Sequence, residues 1–234
     1  MNRFKQTLFF VFSTLVWLSA SGPKLLAQAP DSTDYLATGQ KMLSQAKYPD
    51  AKTAFTQHIV VFSNSPEAYL GRGISNFYLE NTTAALEDLN KAVELRVYNA
   101  EVFLYRGLCL SEEGELSAAI NDLSKALKEG SQDPRAYRAR AKAFFEQEDY
   151  EKALQDIEKL ISLNEADEET FQFSGEIHLL LKNYEQAKKA FTEAISRRES
   201  FQKAWLSRAE AQYHQQEWAG VIADLNKAAA LGKL

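Results

Sequence analysis

Three histidines, one cysteine and a recurring arginine–aspartate pattern are the side chains in this sequence that could do chemistry. His58, His178 and His214 are not spaced like a pair of metal ligands, and no nucleophile is placed with a histidine base. Because Cys109 is the single cysteine, neither a disulfide framework within the chain nor a cysteine-cluster zinc site can form. The sequence therefore predicts a protein that is not an enzyme and that holds no cofactor or metal.

The composition of the 234 residues narrows the class of protein further. Hydrophobic residues make up 45% of the chain, which is enough for a packed core. Gly 10 and Pro 5 are few for a fold rich in strands and turns. A formal charge of −5 gives no clustered basic surface for phosphates, so nucleic acid is not expected as a partner. These values favour a mostly helical protein.

The elements that must position any functional side chain recur along the chain every 34 residues. Position 4 of each block is aromatic, position 8 is glycine or alanine, and position 24 is large and apolar. Positions 4 and 8 share one face of a first helix, and positions 20 and 24 share one face of a second helix. Each block therefore predicts two antiparallel helices that approach closely at small residues. The blocks begin, without any insertion, at Ser32, Pro66, Ala100, Pro134, Glu168 and Gln202.

This pattern resembles the tetratricopeptide repeat (TPR) family, whose unit is a helix–turn–helix of the same length. The resemblance covers residues 32–234 and implies an all-α fold, a right-handed α-solenoid of six repeats. It also implies a concave surface lined by the first helices, and a protein or peptide as partner. Within a domain of residues 30–234, the expected repeats are 32–65, 66–99, 100–133, 134–167, 168–201 and 202–234.

Positions 7 and 23 of the repeats change together. Repeats 2, 3, 4 and 6 carry arginine at position 7 and aspartate at position 23, whereas repeats 1 and 5 carry neither. We interpret these residues as structural ion pairs between the two helices of one repeat, not as catalytic groups. The expected pairs are Arg72–Asp88, Arg106–Asp122, Arg140–Asp156 and Arg208–Asp224.

Positions 2, 5, 9 and 12 of the first helices lie roughly 120° around from the core face and are the expected ligand-binding positions. The cations of repeat 4 are expected to hold a carboxylate or an acidic side chain. The family's carboxylate clamp is not reproduced, because Phe173 follows where the family has asparagine. The alternative is a solvated helix face with some leucines packed against the neighbouring first helix. The predicted peptide-binding groove consists of Leu70, Ile74, Phe77, Leu104, Leu108, Arg135, Arg138, Lys142 and Phe145.

The second helix of repeat 6 offers another interaction surface. No polar capping helix follows it in the sequence, so its apolar stacking face is expected to dock on a second copy of the chain or on another protein. The alternative is that Trp218 folds over this face. If the face docks on another chain, the protein is an assembly scaffold, and a homodimer through repeat 6 is one form of that scaffold. The residues of this predicted docking face are Trp218, Val221, Ile222 and Leu225.

Residues 1–29 have the order of a secretory signal peptide. Arg3 and Lys5 precede an apolar run of about 12 residues, which is shorter than the roughly 20 needed to cross a bilayer. Cleavage is expected after Ala27 or Ala29. The alternative is an uncleaved anchor, the one case in which the chain would contact a membrane. Both interpretations predict an exported protein, either periplasmic or secreted, and the anchored form would also face away from the cytoplasm.

Overall fold

The computed structural model describes residues 32–232, with side chains from residue 35 onward. The predicted signal peptide, residues 1–29, lies outside the described residues. The described residues form α1 (Ser32–Ser44), α2 (Tyr48–Val61), α3 (Pro66–Tyr78), α4 (Thr82–Glu94), α5 (Ala100–Glu112), α6 (Leu116–Lys128), α7 (Pro134–Glu146), α8 (Tyr150–Ser162), α9 (Glu168–Leu180), α10 (Tyr184–Arg197), α11 (Gln202–His214) and α12 (Trp218–Leu231).

These helices repeat with the spacing that the sequence predicts. The first helices begin at the six block starts, and within residues 32–232 there is no strand. The most extensive packing joins the two helices of one repeat, and each second helix also packs against the first helix of the next repeat. This arrangement is an all-α solenoid, which confirms the predicted fold class.

Size matching at positions 8 and 24 brings the two helices of a repeat together. A Cβ atom added to Gly175 would lie 2.3 Å from the ring of Phe191, and one added to Gly73 would lie 2.8 Å from Leu89. Phe191 and Leu89 are fully buried. Gly175 and Gly73 therefore leave room for a large side chain of the second helix to cross the first helix, and alanine fills this position in repeats 4 and 6.

The turn between the two helices of each repeat uses one residue with a left-handed backbone. In repeat 4 this residue is Glu148, at φ 61°, and the next amide, that of Asp149, donates to the carbonyl of Phe144 at 2.9 Å. This hydrogen bond closes the end of the first helix. The six turn residues are Ala46, Glu80, Gly114, Glu148, Lys182 and Gln216.

Each arginine at position 7 binds the aspartate of its own repeat through two hydrogen bonds. In repeat 4, Arg140 Nε lies 2.8 Å from Asp156 Oδ2, and Arg140 Nη2 lies 2.6 Å from Asp156 Oδ1. The aspartates of all four pairs are buried. The same geometry joins Arg72 to Asp88, Arg106 to Asp122 and Arg208 to Asp224.

The same arginines also reach back to the preceding repeat. Arg140 Nη1 donates to Ser124 Oγ at 2.9 Å, so one guanidinium joins repeats 3 and 4 as well as the helices of repeat 4. The arginine therefore stabilises the stacking of repeats in addition to the helical hairpin. The equivalent contacts are Arg72 to Thr56, Arg106 to Asn90 and Arg208 to Thr192.

The junction between repeats 4 and 5 lacks this link, because repeat 5 has Ser174 and Ala190 at the two positions. Helices α8 and α9 touch each other less than any other second helix touches the following first helix among the described residues. A cavity of about 90 Å³ lies at this junction and is lined in part by Ile157 and Phe173. The array is therefore least tightly packed at this point.

Candidate functional site

The concave surface carries an open pocket of about 480 Å³, which we call the repeat-4 pocket. It is built by α3, α5, α7 and α9, the first helices of repeats 2 to 5, with α7 supplying most of its side chains. The lining residues are Phe77, Leu108, Ser111, Glu112, Arg135, Arg138, Ala139, Lys142, Phe145, Glu146 and Phe173.

The apolar part of the repeat-4 pocket is formed by aromatic rings from different repeats. The ring of Phe145 on α7 meets the ring of Phe173 on α9 edge to face, with centroids 5.1 Å apart. Phe77 on α3 meets the ring of Tyr105 on α5 in the same manner at 5.3 Å. These contacts hold the rings in place across repeat boundaries, so the pocket offers a preformed apolar surface.

Arg135 lines the pocket but is already engaged within the protein. Its Nη2 lies 2.7 Å from Asp133 Oδ2, and its two terminal nitrogens donate to the hydroxyls of Tyr78 and Tyr105 at 3.1 and 3.4 Å. The hydrogen bond with Asp133 raises the pKa of Arg135 above its ordinary value. Arg135 therefore has a structural role: its guanidinium pairs with a carboxylate of its own chain and supports two tyrosine hydroxyls.

Arg138 is also partly engaged, whereas Lys142 is not. Arg138 Nη2 lies 3.1 Å from Asp167 Oδ2 and 3.2 Å from the carbonyl oxygen of Glu165. Lys142 is exposed and makes no ion pair within residues 35–232. Among the described lining residues, the carboxylates of Glu112 and Glu146 lack ion pairs as well.

These contacts correct the expectation that three cations of repeat 4 hold an acidic ligand. Arg135 and Arg138 already bind carboxylates of this chain, so the lining residues without ion pairs are one cation, Lys142, and two carboxylates, Glu112 and Glu146. The balance of unpaired charge at the pocket is therefore not positive. The physical reason is that acidic residues in the turns before α7 and α9 neutralise the two arginines, which the alignment of helix positions did not take into account.

The structure brings together six of the nine residues predicted for the groove, all of them lining the repeat-4 pocket. Ile74 lines a second concave pocket, which is described below. Leu70 and Leu104 require a correction, because they line neither pocket and pack in the core cluster of repeats 2 and 3. Adjacent first helices cover them, as the alternative interpretation held. The six residues at the pocket are Phe77, Leu108, Arg135, Arg138, Lys142 and Phe145.

Sequence reasoning missed the lining residues at positions 6 and 13 of the repeats. These positions are one helical step beyond the predicted positions 5 and 12, so widening the predicted face by one residue would have found them. The residues concerned are Ala139 and Phe173 at position 6, and Glu112 and Glu146 at position 13.

The predicted docking face of repeat 6 is uncovered within the described residues. Trp218, Ile222 and Leu225 are 54%, 61% and 46% exposed, and Val221 is partly buried. The rings of Trp218 and Tyr213 meet edge to face at a centroid distance of 5.5 Å, and Ile222 and Leu225 remain exposed. In the other five repeats, the residue at the position of Leu225 is at most 1% exposed. These residues are Phe55, Leu89, Leu123, Ile157 and Phe191.

Residues 32–232 contain neither a metal-binding cluster nor a membrane-spanning helix. No cluster of three or more histidine, cysteine, aspartate or glutamate side chains is placed to hold a metal ion in this part of the chain. None of its helices has both the length and the apolar character that a membrane span requires.

The fold and its concave pocket define an α-solenoid of helix–turn–helix repeats, a class built for contact with other proteins. The family model described as "Tetratricopeptide repeat" matches residues 36–100, 70–134, 106–168 and 175–233. The chain belongs to the tetratricopeptide repeat family, and it is a protein–protein interaction module.

Solved structures with the same fold have low sequence identity to this chain. The C-terminal part of a TPR repeat-containing protein from Cytophaga hutchinsonii is 20% identical, with a TM-score of 0.68 and coverage of 84% of this chain and 78% of that one. YrrB, described as a TPR protein with an unusual peptide-binding site, is 18% identical, with a TM-score of 0.66 and coverage of 74% and 90%. PilF of Pseudomonas aeruginosa is 18% identical, with a TM-score of 0.63 and coverage of 86% and 88%. No curated protein sequence matches this chain significantly.

Proposed function

We propose that this chain is an exported TPR module that binds an extended peptide segment along its concave surface. The observation that carries the proposal is the repeat-4 pocket, an open apolar cavity of about 480 Å³ with aromatic walls. An apolar side chain of the peptide would enter this pocket and anchor the segment. YrrB, which has the same fold, is described as having a peptide-binding site.

The geometry suits a peptide because one side chain can be desolvated while the rest stays on the surface. Phe145 and Phe173 are fixed by mutual contact, so little ordering of the site is needed when the ligand binds. Exposed polar groups such as Lys142 and Glu146 stand at the rim, where they can bond to a peptide backbone. Apolar burial therefore supplies affinity, and the rim supplies orientation.

A substitution that fills the pocket tests this proposal. Ala139 lines the pocket, so Ala139→Trp should block it and reduce binding of peptides selected from a random 12-residue library at least about tenfold. Ala37→Trp is the matched control, because Ala37 occupies the same repeat position in repeat 1, is exposed and does not line the pocket. Affinity would be measured by fluorescence anisotropy. Equal affinity of both variants, or a library that yields no binder, would exclude a peptide site at the pocket.

Export is part of the proposal and is supported by the order of residues 1–29. Arg3 and Lys5, followed by an apolar run, are typical of a signal peptide. Fusing residues 1–35 to a reporter that is active only outside the cytoplasm should give activity, and replacing Leu15 and Val16 by aspartate should abolish it. N-terminal sequencing of the exported protein would distinguish cleavage after Ala27 or Ala29 from an uncleaved anchor.

A second candidate function is an assembly scaffold that docks through repeat 6. The exposure of Ile222 and Leu225, against full burial at the position of Leu225 in other repeats, favours it. If this face forms a homodimer, light scattering should give twice the monomer mass, and Leu225→Glu should restore the monomer. Val60→Glu is the control, since Val60 is 80% exposed on α2. A monomer at all concentrations would exclude self-association through this face.

A further inference from the structure

A second pocket, of about 360 Å³, lies on the concave side of repeats 1 to 3. We call it the tyrosine pocket, because three tyrosines contribute to its wall. The side chains come from α1, α3 and α5 and from the start of α2, so it continues the line of first helices that forms the repeat-4 pocket. The lining residues are Gln40, Leu43, Ser44, Tyr48, Ile74, Tyr78, Glu101 and Tyr105.

The two pockets are separated by one shared partition. The hydroxyls of Tyr78 and Tyr105 lie 3.0 Å apart, and Arg135, from the repeat-4 pocket, donates to both of them. Tyr48 stacks on Tyr78 with ring centroids 4.3 Å apart, which supports the partition from the other side. Since Arg135 is itself held by Asp133, the partition is fixed, and a bound peptide would have to pass over it.

Glu101 is the one charged side chain among those that line the tyrosine pocket. It is exposed to solvent, and within residues 35–232 it has neither an ion pair nor a hydrogen-bond donor. Although the side chain reaches solvent, the surrounding protein partly desolvates its carboxylate and thereby raises the pKa of Glu101. Glu101 is therefore a carboxylate whose charge the protein leaves without a partner.

The unpaired charges of the concave surface favour a basic ligand. Glu101, Glu112 and Glu146 lack ion pairs within the described residues, whereas Lys142 is the single unpaired cation that lines either pocket. The whole chain also carries a formal charge of −5. A peptide with net positive charge would thus be attracted to this surface, whereas an acidic peptide would be repelled from most of it.

We propose that the tyrosine pocket receives a lysine or arginine side chain of the same peptide whose apolar side chain occupies the repeat-4 pocket. The carboxylate of Glu101 would form a charge-assisted hydrogen bond with the cation, and the partly buried ring of Tyr48 would attract it. This inference rests on the proposed function and names its ligand class: a basic, extended peptide with a cationic and an apolar anchor.

The test uses fluorescein-labelled synthetic peptides in which an arginine and a phenylalanine are joined by two to six Gly/Ser residues. A matched set has glutamine in place of the arginine. Wild-type protein should bind the best arginine peptide about tenfold or more tightly than its glutamine counterpart. Glu101→Gln should remove this preference and leave the affinity for the glutamine peptide unchanged, and Glu101→Lys should favour a peptide with glutamate in place of the arginine.

Glu67→Gln is the control, because Glu67 occupies the same first-turn position in repeat 2 and lines neither pocket. It should keep the preference for arginine. The inference is overturned if Glu101→Gln weakens both peptides equally, or if acidic peptides bind best and Lys142→Glu abolishes their binding. Neither result contradicts the proposal that the concave surface binds a peptide. If wild-type protein binds none of the peptides, and Ala139→Trp has no effect on library binders, both proposals fail.

Discussion

Arg140 and Asp156 are sixteen residues apart and face each other across one helical hairpin, joined by two parallel hydrogen bonds of 2.8 and 2.6 Å. Asp156 is 4% exposed, so its charge depends on this one guanidinium. Because Arg140 also donates to Ser124, one side chain serves both the hairpin and the stacking of repeats. The arrangement occurs in four of the six repeats, which makes it a structural rule of the array.

Removal of Arg140 should therefore be far more damaging than replacement of the whole pair. Arg140→Ala leaves the buried Asp156 carboxylate unpaired and should lower the free energy of unfolding by about 3 kcal/mol or more. The double variant Arg140→Met with Asp156→Leu should lie within about 1 kcal/mol of wild type. Urea denaturation followed by circular dichroism measures both. Equal losses for the two variants would show that lost packing, and not the buried charge, sets the cost.

The left-handed turn residues predict which substitutions stabilise the hairpins. Glu148 has φ 61°, a conformation that costs an L-residue about 1 kcal/mol, so Glu148→Gly should raise the free energy of unfolding by about 0.5–1 kcal/mol. Gly114 gives the reciprocal test, because a Cβ there would meet no atom within 4 Å, and the cost of Gly114→Ala is that of the backbone alone. Thermal denaturation should shift in opposite directions for the two variants. A shift in the same direction would contradict the role of the turn.

Stability should fall in acid partly through Asp133. Burial acts to raise the pKa of Asp133, but the hydrogen bonds from Arg135 outweigh it and the net pKa is lowered. The stabilisation is therefore fully present above the ordinary aspartate pKa of about 3.9 and is lost as pH falls through the lowered folded value. Asp133→Asn keeps an acceptor for the α7 cap and should reduce the loss of stability between about pH 5 and pH 2. An unchanged acid dependence in urea titrations would refute the pairing.

Cys109 should be inert in the folded protein. The side chain is 0% exposed, and burial raises the pKa of the thiol to about 12, so almost no thiolate exists at neutral pH. At pH 8 the protein should react with DTNB only when urea unfolds it. A cysteine introduced as Ser44→Cys in a Cys109→Ala background should react at once, since Ser44 is exposed. Fast labelling of Cys109 in the native protein would show that repeat 3 opens readily.

The junction of repeats 4 and 5 should be where the array opens first. Repeat 5 has Ser174 and Ala190 in place of the ion pair, and the cavity of about 90 Å³ lies at this junction. In low urea, amide hydrogen exchange should therefore release α9 to α12 before α3 to α6. Introducing Ser174→Arg with Ala190→Asp should reduce the difference. Simultaneous exchange of all repeats would show that the missing link has no energetic effect.

Much of this architecture can be predicted from the local sequence. Helix starts, the contact of small position 8 with large position 24, and the partners of Arg72 and Arg106 all follow from a fixed spacing. They could be predicted because each depends on one hairpin, whose geometry is set by helical periodicity and side-chain size. Residue identities also placed six of the nine expected groove residues at the pocket.

The rest depended on how one repeat sits on the next. Leu70 and Leu108 both belong to the predicted groove face and are both 8% exposed, yet only Leu108 lines the repeat-4 pocket. Likewise Arg135 has a structural role and not a ligand-binding one, because tyrosines from two other repeats accept hydrogen bonds from its guanidinium. Curvature of the solenoid sums small rotations between repeats, and no spacing within one repeat records that sum. The sequence alone thus determined the hairpins and their order along the chain, whereas the tertiary structure decided which concave side chains are open and which charges are left unpaired.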